Sequence, residues 1–471
     1  MVFRRFLALV ALFAASACTP DSNPPQTTTA AARRMATLPP DVERLVGPTY
    51  DSPQLQALVE RVGNRLVAQS SIPGTFRFYV LDQPQANAHA VSSGYVFVTR
   101  GLLALIDDDA ELAAAMGHEL GHVTLKHAAQ RERARKVAID AAVNAAMQSG
   151  SLQVGRSVAS SGMMELRRYS REQELEADRV GLGYLTKAGW RGDAIVTLVE
   201  KLRRQSDLEG KLMGEESAEP GGKRNALSTH PEPDERLAAL GRLDAARLPG
   251  ESDPAGYLGL IDGMSVDDRP EEGFVRGTTF LHPTMRFAFT APADFRLFND
   301  ADAVLGLGSD RSALLFSCSP GRVEGSLADW MRDKLKPTPT DIQTTEIDGV
   351  EAAIGSKPRG ADTGLGQLRY VLIRRDEGFC YFNLLSDGAD RDRKIEALIR
   401  TARSYRTLSP AEASGLQPYR LHVVARDGMS AQQLARRLPY RDLPLARLLA
   451  LNGVDNAAEF ARRREVKLIE P

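Results

Sequence analysis

The sequence is poor in cysteine, with only Cys18, Cys318 and Cys380 among its 471 residues. No two of these cysteines stand at C-x-x-C spacing, which argues against a cysteine-based metal site. Cys318 and Cys380 both fall on predicted strands, and two interpretations stay open for them. They form a disulfide in an oxidising compartment, or they are two separate buried thiols.

Long apolar stretches and an excess of charge of either sign are also missing. After the first residues, no segment reaches the about 18 uninterrupted apolar residues that a membrane-spanning helix requires. The best candidate, residues 137–147, is interrupted by Asp140 and Asn144. The 60 basic and 61 acidic residues leave a net charge of −1, so charge gives no indication of a nucleic-acid partner. We therefore expect a mature chain that is soluble or tethered and does not bind nucleic acid.

The first residues have the pattern of an export signal. Arg4 and Arg5 precede an apolar stretch of small residues at positions 6–17, which predicts a signal peptide that ends at residue 17. Cys18 directly after small residues resembles a bacterial lipobox, in which the cysteine is lipidated. Thr19 behind it favours the outer membrane, by resemblance to sorting signals. The sequence thus predicts a periplasmic protein that is lipid-anchored at Cys18; plain secretion with a chance cysteine is the alternative.

The motif His118-Glu119-Leu120-Gly121-His122 carries the strongest chemical signal. Residues i and i+4 lie on one face of a helix, so His118 and His122 can present two imidazoles to one metal ion. Glu119 is rotated by about 100° from His118 and can take a proton from a metal-bound water. Zinc suits two nitrogens and one carboxylate with an open position for water, which predicts hydrolase chemistry. Asp107-Asp108-Asp109 should cap the helix that carries the motif.

A third ligand is needed, and the sequence offers few choices. Metzincins would have histidine where Ala128 stands, and His127 is rotated by about 140° from His122 and should point away as a packed or solvated side chain. Glu174 and Asp178 stand at i and i+4 on a predicted helix that the capping-box pattern of residues 170–173 would open. One carboxylate could bind zinc while the other accepts a hydrogen bond from a ligand histidine. A solvated acidic helix face is the alternative.

The motifs together resemble the HtpX/BepA-like zinc endopeptidases, the gluzincins of peptidase family forty-eight. The resemblance covers about residues 40–247. It is carried by HELGH at 118–122, the E-x-x-A-D signature within 170–178, and the segments 87–90, 94–103 and 229–231.

This resemblance implies a role for each residue of the site. His118, His122 and Glu174 would bind zinc, Glu119 would be the general base, and Asp178 would be a supporting residue. The expected activity is an endopeptidase that acts on misfolded or misassembled envelope proteins. A non-catalytic chaperone or scaffold and a hydrolase of wall peptides are the alternatives.

Two further implications of the resemblance each leave an alternative open. The strand at residues 94–99 would be a sheet edge to which an extended substrate adds, or else an ordinary structural strand. His230 would reach the zinc, displace its water and restrain activity, or else be a surface or capping histidine. A polar, mobile loop at residues 206–228 is predicted just before it.

The fold class that we expect is α+β, in several domains. A disordered tether at 18–39 would precede a mostly helical zinc metalloprotease domain with a small sheet at 40–250. A linker at 251–277 would lead to an α+β accessory domain at 278–410. The last predicted module occupies residues 416–471.

The C-terminal module resembles LysM, which binds glycan of the cell wall. The predicted order is strand, helix, helix, strand, and the resemblance rests on residues 421–424, 434–435 and 448–453. Residues 426–430 keep an Asp-Gly turn signal but depart from the family's residue order. Binding of peptidoglycan and a small packing domain therefore both remain open. The tail also marks the expected secreted or lipoprotein subset of the family.

Overall fold

The computed structural model describes residues 38–70, 72–91, 93–149, 151–212, 230, 233–308, 312–357, 367–386 and 390–471. The predicted signal peptide and Cys18 lie outside these residues, as do most of the predicted tether and most of the predicted loop at 206–228. The described chain divides into a larger unit, Met35–Asp267 with Tyr419–Pro471, and a smaller unit, Asp268–Pro418. The expected α+β class is confirmed, because helices and several small sheets occur together.

The described residues contain helices in both units. They are α1 Pro40–Val46, α2 Pro53–Val67, α3 Arg100–Leu105, α4 Asp109–Thr124, α5 His127–Ser149, α6 Leu152–Lys187, α7 Ala194–Leu212, α8 Pro233–Leu240, α9 Pro254–Ile261, α10 Leu327–Lys334, α11 Arg391–Arg403, α12 Pro410–Gly415, α13 Ala431–Ala435, α14 Pro444–Leu451 and α15 Ala457–Phe460. A short 3-10 helix at Asp244–Arg247 follows α8.

The strands found in the described part of the chain are distributed over four sheets. They are β1 Arg77–Leu81, β2 Ala88–Val91, β3 Tyr95–Thr99, β4 Phe274–Arg276, β5 Thr279–His282, β6 Phe287–Thr290, β7 Phe295–Asp300, β8 Ala303–Gly308, β9 Ala313–Ser319, β10 Thr340–Ile347, β11 Val350–Ser356, β12 Gln367–Arg375, β13 Gly378–Ser386, β14 Arg406–Thr407, β15 Arg420–Ala425 and β16 Glu465–Glu470.

One mixed sheet of the larger unit has the strand order β1-β3-β2. β3 pairs in parallel with β1 and antiparallel with β2, so its backbone N–H and C=O groups form hydrogen bonds with a neighbouring strand on each side. The interpretation of residues 94–99 as a sheet edge is therefore wrong, and this strand is an ordinary structural one. The edge next to α4 is β2, because the Ala90 N–H donates a hydrogen bond to Glu119 on that helix, at 3.1 Å.

Helix α4 is the centre of the larger unit and is buried almost throughout. It begins as predicted at Asp108, whose side chain accepts a hydrogen bond from the Glu111 N–H at 2.8 Å. A methyl group on Gly121 would lie 2.8 Å from the carbonyl oxygen of Ala177. The two glycines of the motif region thus allow the backbone of α6 to approach closely, and this contact brings the acidic residues of α6 beside the histidines of α4.

Helix α6 is longer than the sequence pattern predicts. It runs without a break from Leu152 to Lys187, and its N-cap is Ser151 instead of Ser170. The prediction that the capping box at 170–173 opens this helix is therefore wrong. Helix α5 packs against α6, and such tertiary contact overrides the weak local preference of serine and glycine for turns.

The C-terminal module has the predicted order of strand, helix, helix and strand, with the short α15 added before β16. It does not form a separate body, because Leu421 belongs to the main core of the larger unit. The predicted linker at 251–277 contains a helix in its first half. This half contains α9, where the buried Tyr257 donates a hydrogen bond to the Leu103 carbonyl at 2.7 Å.

A buried lysine of β16 holds the C-terminal module against the start of α4. Lys467 is 2% exposed, and its Nζ donates hydrogen bonds of 2.9, 2.7 and 3.1 Å to the carbonyls of residues 104–106. Its Nζ also lies 2.8 Å from Asp107, which pairs with Lys201 and Arg463 as well. Burial lowers the pKa of Lys467 to about 8 despite the charge of Asp107. This ionic cluster joins the two chain segments of the larger unit, Met35–Asp267 and Tyr419–Pro471.

The smaller unit is built from two antiparallel sheets. Their strand orders are β10-β11-β12-β13-β9-β8-β7 and β14-β6-β5-β4. The aromatic rings of Phe280, Phe289 and Phe382 belong to one core with α11 residues. Cys318 and Cys380 occupy paired positions on β9 and β13 and form a disulfide, which decides between the two interpretations of these cysteines.

Candidate metal centre

Three segments of the larger unit bring four side chains to one point. His118 and His122 come from α4, Glu174 comes from α6, and His230 precedes α8. One ligand atom from each of these residues lies within 4.8 Å of the others. The structure thus brings together all three residues predicted to bind zinc and the histidine predicted to approach it.

The geometry of the first three residues suits a single ion. The Nε2 atoms of His118 and His122 are 3.1 Å apart, and Glu174 oxygens lie 3.3 Å and 3.4 Å from these two nitrogens. Ligand atoms of a tetrahedral zinc site with bonds of about 2.1 Å are about 3.4 Å apart. All three side chains are buried, which excludes most competing water.

Two polar groups of the cluster are left in need of a cation. Glu174 Oε1 is buried and has no hydrogen-bond donor among the described residues. Two imidazole nitrogens that face each other, as those of His118 and His122 do, require a proton or a metal ion between them. Burial lowers the pKa of His122 to about 4, so this imidazole is neutral and free to act as a ligand. The donor set therefore fits zinc.

His118 is oriented from behind by a carboxylate, as the spacing of Glu174 and Asp178 predicts. Its Nδ1 lies 2.8 Å from Asp178 Oδ1. Arg236 of α8 donates two hydrogen bonds to the same carboxylate, at 2.8 Å from Nε and 2.7 Å from Nη2. Burial would raise the pKa of Asp178, but the guanidinium of Arg236 outweighs it and holds this pKa far below its usual value. Asp178 is thus an ionised acceptor that fixes the His118 tautomer.

His122 is oriented by a second histidine, against expectation. His127 does not point away: it is fully buried, and its Nδ1 lies 2.8 Å from the Nδ1 of His122. The rotation argument fails because α4 ends at Thr124 and Lys126 has a positive φ of 56°, which turns the chain back. The other ring nitrogen of His127 lies 3.3 Å from Glu176. His127 therefore connects the predicted ligand to a carboxylate at the surface.

Glu119 lies between the cluster and the sheet edge. Its Oε2 accepts the hydrogen bond from the Ala90 N–H, and its Oε1 is 3.2 Å from His230 Nε2. Burial would raise the pKa of Glu119, but the charge of His230 outweighs this and holds the pKa at about 2. The carboxylate is therefore ionised and able to accept a proton, as a general base must be.

His230 occupies the open side of the cluster. Its Nδ1 lies 2.8 Å from Glu174 Oε2 and 3.1 Å from His118 Nε2. Burial disfavours its charged form, but Glu174 and Glu119 raise the pKa of His230 to about 10. The structure thus places this histidine within the site and not at the surface.

Sequence reasoning missed three contributors to this site. Arg236 and His127 support the two histidines, and the N–H of Ala90 holds Glu119. No spacing rule connects Arg236 to Asp178, because the two are 58 residues apart and meet only in the fold. The only signal in the sequence was that Arg236 is a basic residue close to the Thr-His-Pro segment at 229–231.

Comparison with known proteins now adds to this geometry. Residues 53–244 match the description of Peptidase family M48. This segment, about two fifths of the chain, is therefore similar to the peptidases of that family. The metallopeptidases of the M48 family use zinc, which agrees with the His118, His122 and Glu174 donor set.

Several curated proteins are similar to the M48 segment. The beta-barrel assembly-enhancing protease of Escherichia coli (strain K12) is 29% identical over 201 residues, which cover 41% of this chain and 39% of that protein. The protein of the same name from Yersinia pestis is 29% identical over 205 residues, covering 41% and 40%. The mitochondrial metalloendopeptidase OMA1 of Schizosaccharomyces pombe (strain 972) is 30% identical over 168 residues, covering 35% and 49%. The similarity to the two bacterial relatives thus spans about two fifths of their length.

Proposed function

We propose that this protein is a zinc-dependent endopeptidase of the bacterial cell envelope. The observation that carries the proposal is the convergence of His118, His122 and Glu174 on one point, with an ionised Glu119 beside it. The M48 match supports the same reaction class. Peptide-bond hydrolysis is the chemistry that a zinc ion with an adjacent carboxylate base performs.

The residues divide the work of hydrolysis between them. His118, His122 and Glu174 would hold the zinc, which when bound polarises the peptide carbonyl and makes a water molecule acidic. Glu119 accepts the proton of the attacking water at a carboxylate oxygen and returns it to the leaving amine. Asp178 and His127 keep the ligand imidazoles in the tautomer that leaves Nε2 free.

The edge strand β2 is the element that we propose for substrate binding. The Ala90 N–H points away from β3, since it donates to Glu119. In an antiparallel strand, the N–H and C=O of one residue point to the same side, so the Ala88 N–H and the carbonyls of Ala88 and Ala90 face the open edge and can pair with an added strand. An extended peptide bound there would lie across Glu119. Unfolded segments, which have no secondary structure of their own, suit this binding mode.

The envelope location and the substrates are inferred from separate observations. The disulfide Cys318–Cys380 suits an oxidising compartment such as the periplasm. Relatives named for beta-barrel assembly support an envelope role. We therefore propose misfolded or misassembled envelope proteins as substrates, and a lipid at Cys18 as the anchor to the outer membrane. Among the residues that the structure describes, none of the helices combines the length and apolar character needed to span a bilayer.

His230 is proposed to hold the site closed until a substrate arrives. Its ring contacts Glu119, Glu174 and His118, and so occupies the side from which water and substrate would enter. His230→Ala should therefore raise kcat/KM on an unfolded substrate by roughly tenfold, the gain from removing a contact worth about 1.4 kcal/mol. Unchanged cleavage together with unchanged zinc content would contradict this role.

Digestion of casein and of an unfolded outer-membrane protein tests the function. Zinc-loaded wild type should cleave both, and Glu119→Gln should lose at least about 1,000-fold while still binding zinc. A chelator should stop cleavage, and added zinc should restore it. A wild type that binds zinc but is as inactive as Glu119→Gln would overturn the proposal and favour a chaperone or scaffold.

A further inference from the structure

Helices α5 and α6 form a hairpin whose outer part is nearly unsupported by the core. Of the 23 residues of α5, only His127 is buried. The first turn of α5 lies near α4. The rest of the helix packs mainly against α6. A hairpin of this kind leaves most of the surface of α5 available to something outside the chain.

The side-chain pattern of α5 is the reverse of that in a soluble protein. The half-buried positions on the side toward α6 are mostly alanines, at 134, 138, 142, 145 and 146. The large apolar side chains point outward instead: Val137 is 68% exposed, Val143 51% and Met147 77%. Small residues between helices and large apolar ones outside are the arrangement that lipid favours, because acyl chains cover the outer face.

Charge is separated along the same helix. The first turns carry Arg131, Glu132, Arg133, Arg135 and Lys136, four basic residues against one acidic. In residues 137–155 the sequence contains a single charged residue, Asp140. A basic collar followed by an uncharged apolar tip complements a membrane surface, where anionic headgroups lie outside the acyl chains.

The dimensions indicate entry into one leaflet only. Residues 137–149 of α5 rise by about 20 Å, which is less than the about 30 Å of a hydrocarbon core. The tip could thus pass the headgroups and reach the upper acyl chains without crossing the bilayer. A client protein would also accept apolar side chains, but it would not require the adjacent basic collar.

We propose that the tip of the α5–α6 hairpin inserts into the surface of a membrane that contains anionic lipids. The apolar side chains Val137, Val143 and Met147 enter the lipid, together with Val154 of α6, which is 41% exposed. The basic collar at residues 131–136 binds the headgroups. This contact is independent of peptide hydrolysis and of lipidation at Cys18, and it would orient the larger unit on the membrane.

Vesicle flotation of the full chain, produced without export so that no lipid is attached, tests the proposal. Wild type and the inactive Glu119→Gln should float with vesicles that contain phosphatidylglycerol, and less with pure phosphatidylcholine. The double variant Val143→Asn with Met147→Asn should lose on the order of tenfold in partitioning. Leu45→Asn is the matched control, since Leu45 is 86% exposed and lies outside the hairpin. All variants share the same N-terminus, so differences between them report the hairpin.

The collar and the depth of insertion are tested separately. Arg133→Gln with Lys136→Gln should weaken binding to anionic vesicles and reduce its sensitivity to salt. The indole introduced by Met147→Trp should shift its emission to the blue and be quenched by brominated lipid. Equal flotation of the Val143/Met147 double variant and the Leu45 control would overturn the proposal. If the Val143/Met147 double variant lost casein binding but floated as wild type does, the proposal would also be overturned, and a protein client would be indicated.

Discussion

His122 owes its orientation to a residue outside the proposed ligand set. His127 lies behind it at 2.8 Å and is in turn 3.3 Å from Glu176. This arrangement mirrors the contact of His118 with Asp178, but with a neutral ring in place of a carboxylate. Each proposed ligand imidazole therefore has one partner that fixes its tautomer, and the partners come from different elements.

His127→Phe should weaken zinc binding by about 10- to 100-fold, because the phenyl ring fills the space but cannot accept or donate a hydrogen bond. The measurement is a zinc titration in competition with a chelating dye. His127→Gln keeps a polar atom near His122 and should lose less. If the phenylalanine variant binds zinc as tightly as wild type while folded, His127 has no positioning role.

The crossing of α4 and α6 depends on the absence of a side chain at Gly121. Gly121→Ala gains about 1 kcal/mol of helix propensity, but its methyl group would lie 2.8 Å from the Ala177 carbonyl. We expect a net loss of about 2 kcal/mol in the free energy of unfolding, together with weaker zinc binding. The loss of stability and the weaker zinc binding have the same cause, because the added methyl group pushes α4 and α6 apart.

Gly183→Ala provides the control for this prediction. Gly183 lies on α6, the other helix of this crossing, and a methyl group there would meet nothing within 4 Å. This variant should be as stable as wild type or more stable, by up to about 1 kcal/mol. Urea unfolding of the two variants side by side decides the matter. Similar changes in both would show that the α4–α6 contact is not tight.

The attachment of the C-terminal strand to α4 is expected to depend on Lys467. Lys467→Met removes three hydrogen bonds to residues 104–106 and leaves Asp107 with less compensation. We expect a loss of about 3 kcal/mol in the free energy of unfolding. Arg437→Met breaks an exposed pair with Glu470 in the same module and should cost less than about 1 kcal/mol. Equal thermal shifts for the two variants would contradict a buried anchor.

At the scale of the whole molecule, the C-terminal module belongs to the unit that carries the metal site. Its Leu421 shares the core of that unit, and its Lys467 reaches the residue before the α4 cap. Whether this module also binds peptidoglycan is a separate proposal that rests on the LysM resemblance. The contacts of Leu421 and Lys467 are those expected of a small packing domain, which is the alternative interpretation.

Local patterns predicted what depends on local chemistry. The cap at Asp108 and the shared helix face of His118 and His122 follow from residue type and helical spacing. For Glu174, spacing left a solvated helix face as the alternative, and the resemblance favoured the ligand role. His127 was misjudged because a single residue in left-handed conformation, Lys126, ends the helical geometry on which the prediction rested. A break of that kind has no sequence signature when the residue is neither glycine nor asparagine.

Pairing between distant segments could not be predicted in the same way. The order β1-β3-β2 depends on which strands pair with each other in the fold. The alternation of side chains along a single strand does not reveal its neighbours. The pairing of Arg236 with Asp178 and the burial of Lys467 also arise from contacts between segments far apart in sequence. The continuation of α6 through residues 160–173 depends on its packing with α5.

The central claim, that Glu174 completes a zinc site with His118 and His122, is tested most directly by zinc affinity. Wild type should bind one zinc ion per chain, and Glu174→Ala should bind it at least about 100-fold more weakly. Glu172→Ala is the matched control, because Glu172 is an exposed acidic residue on the same helix. Equal zinc affinity of wild type and Glu174→Ala would contradict the account.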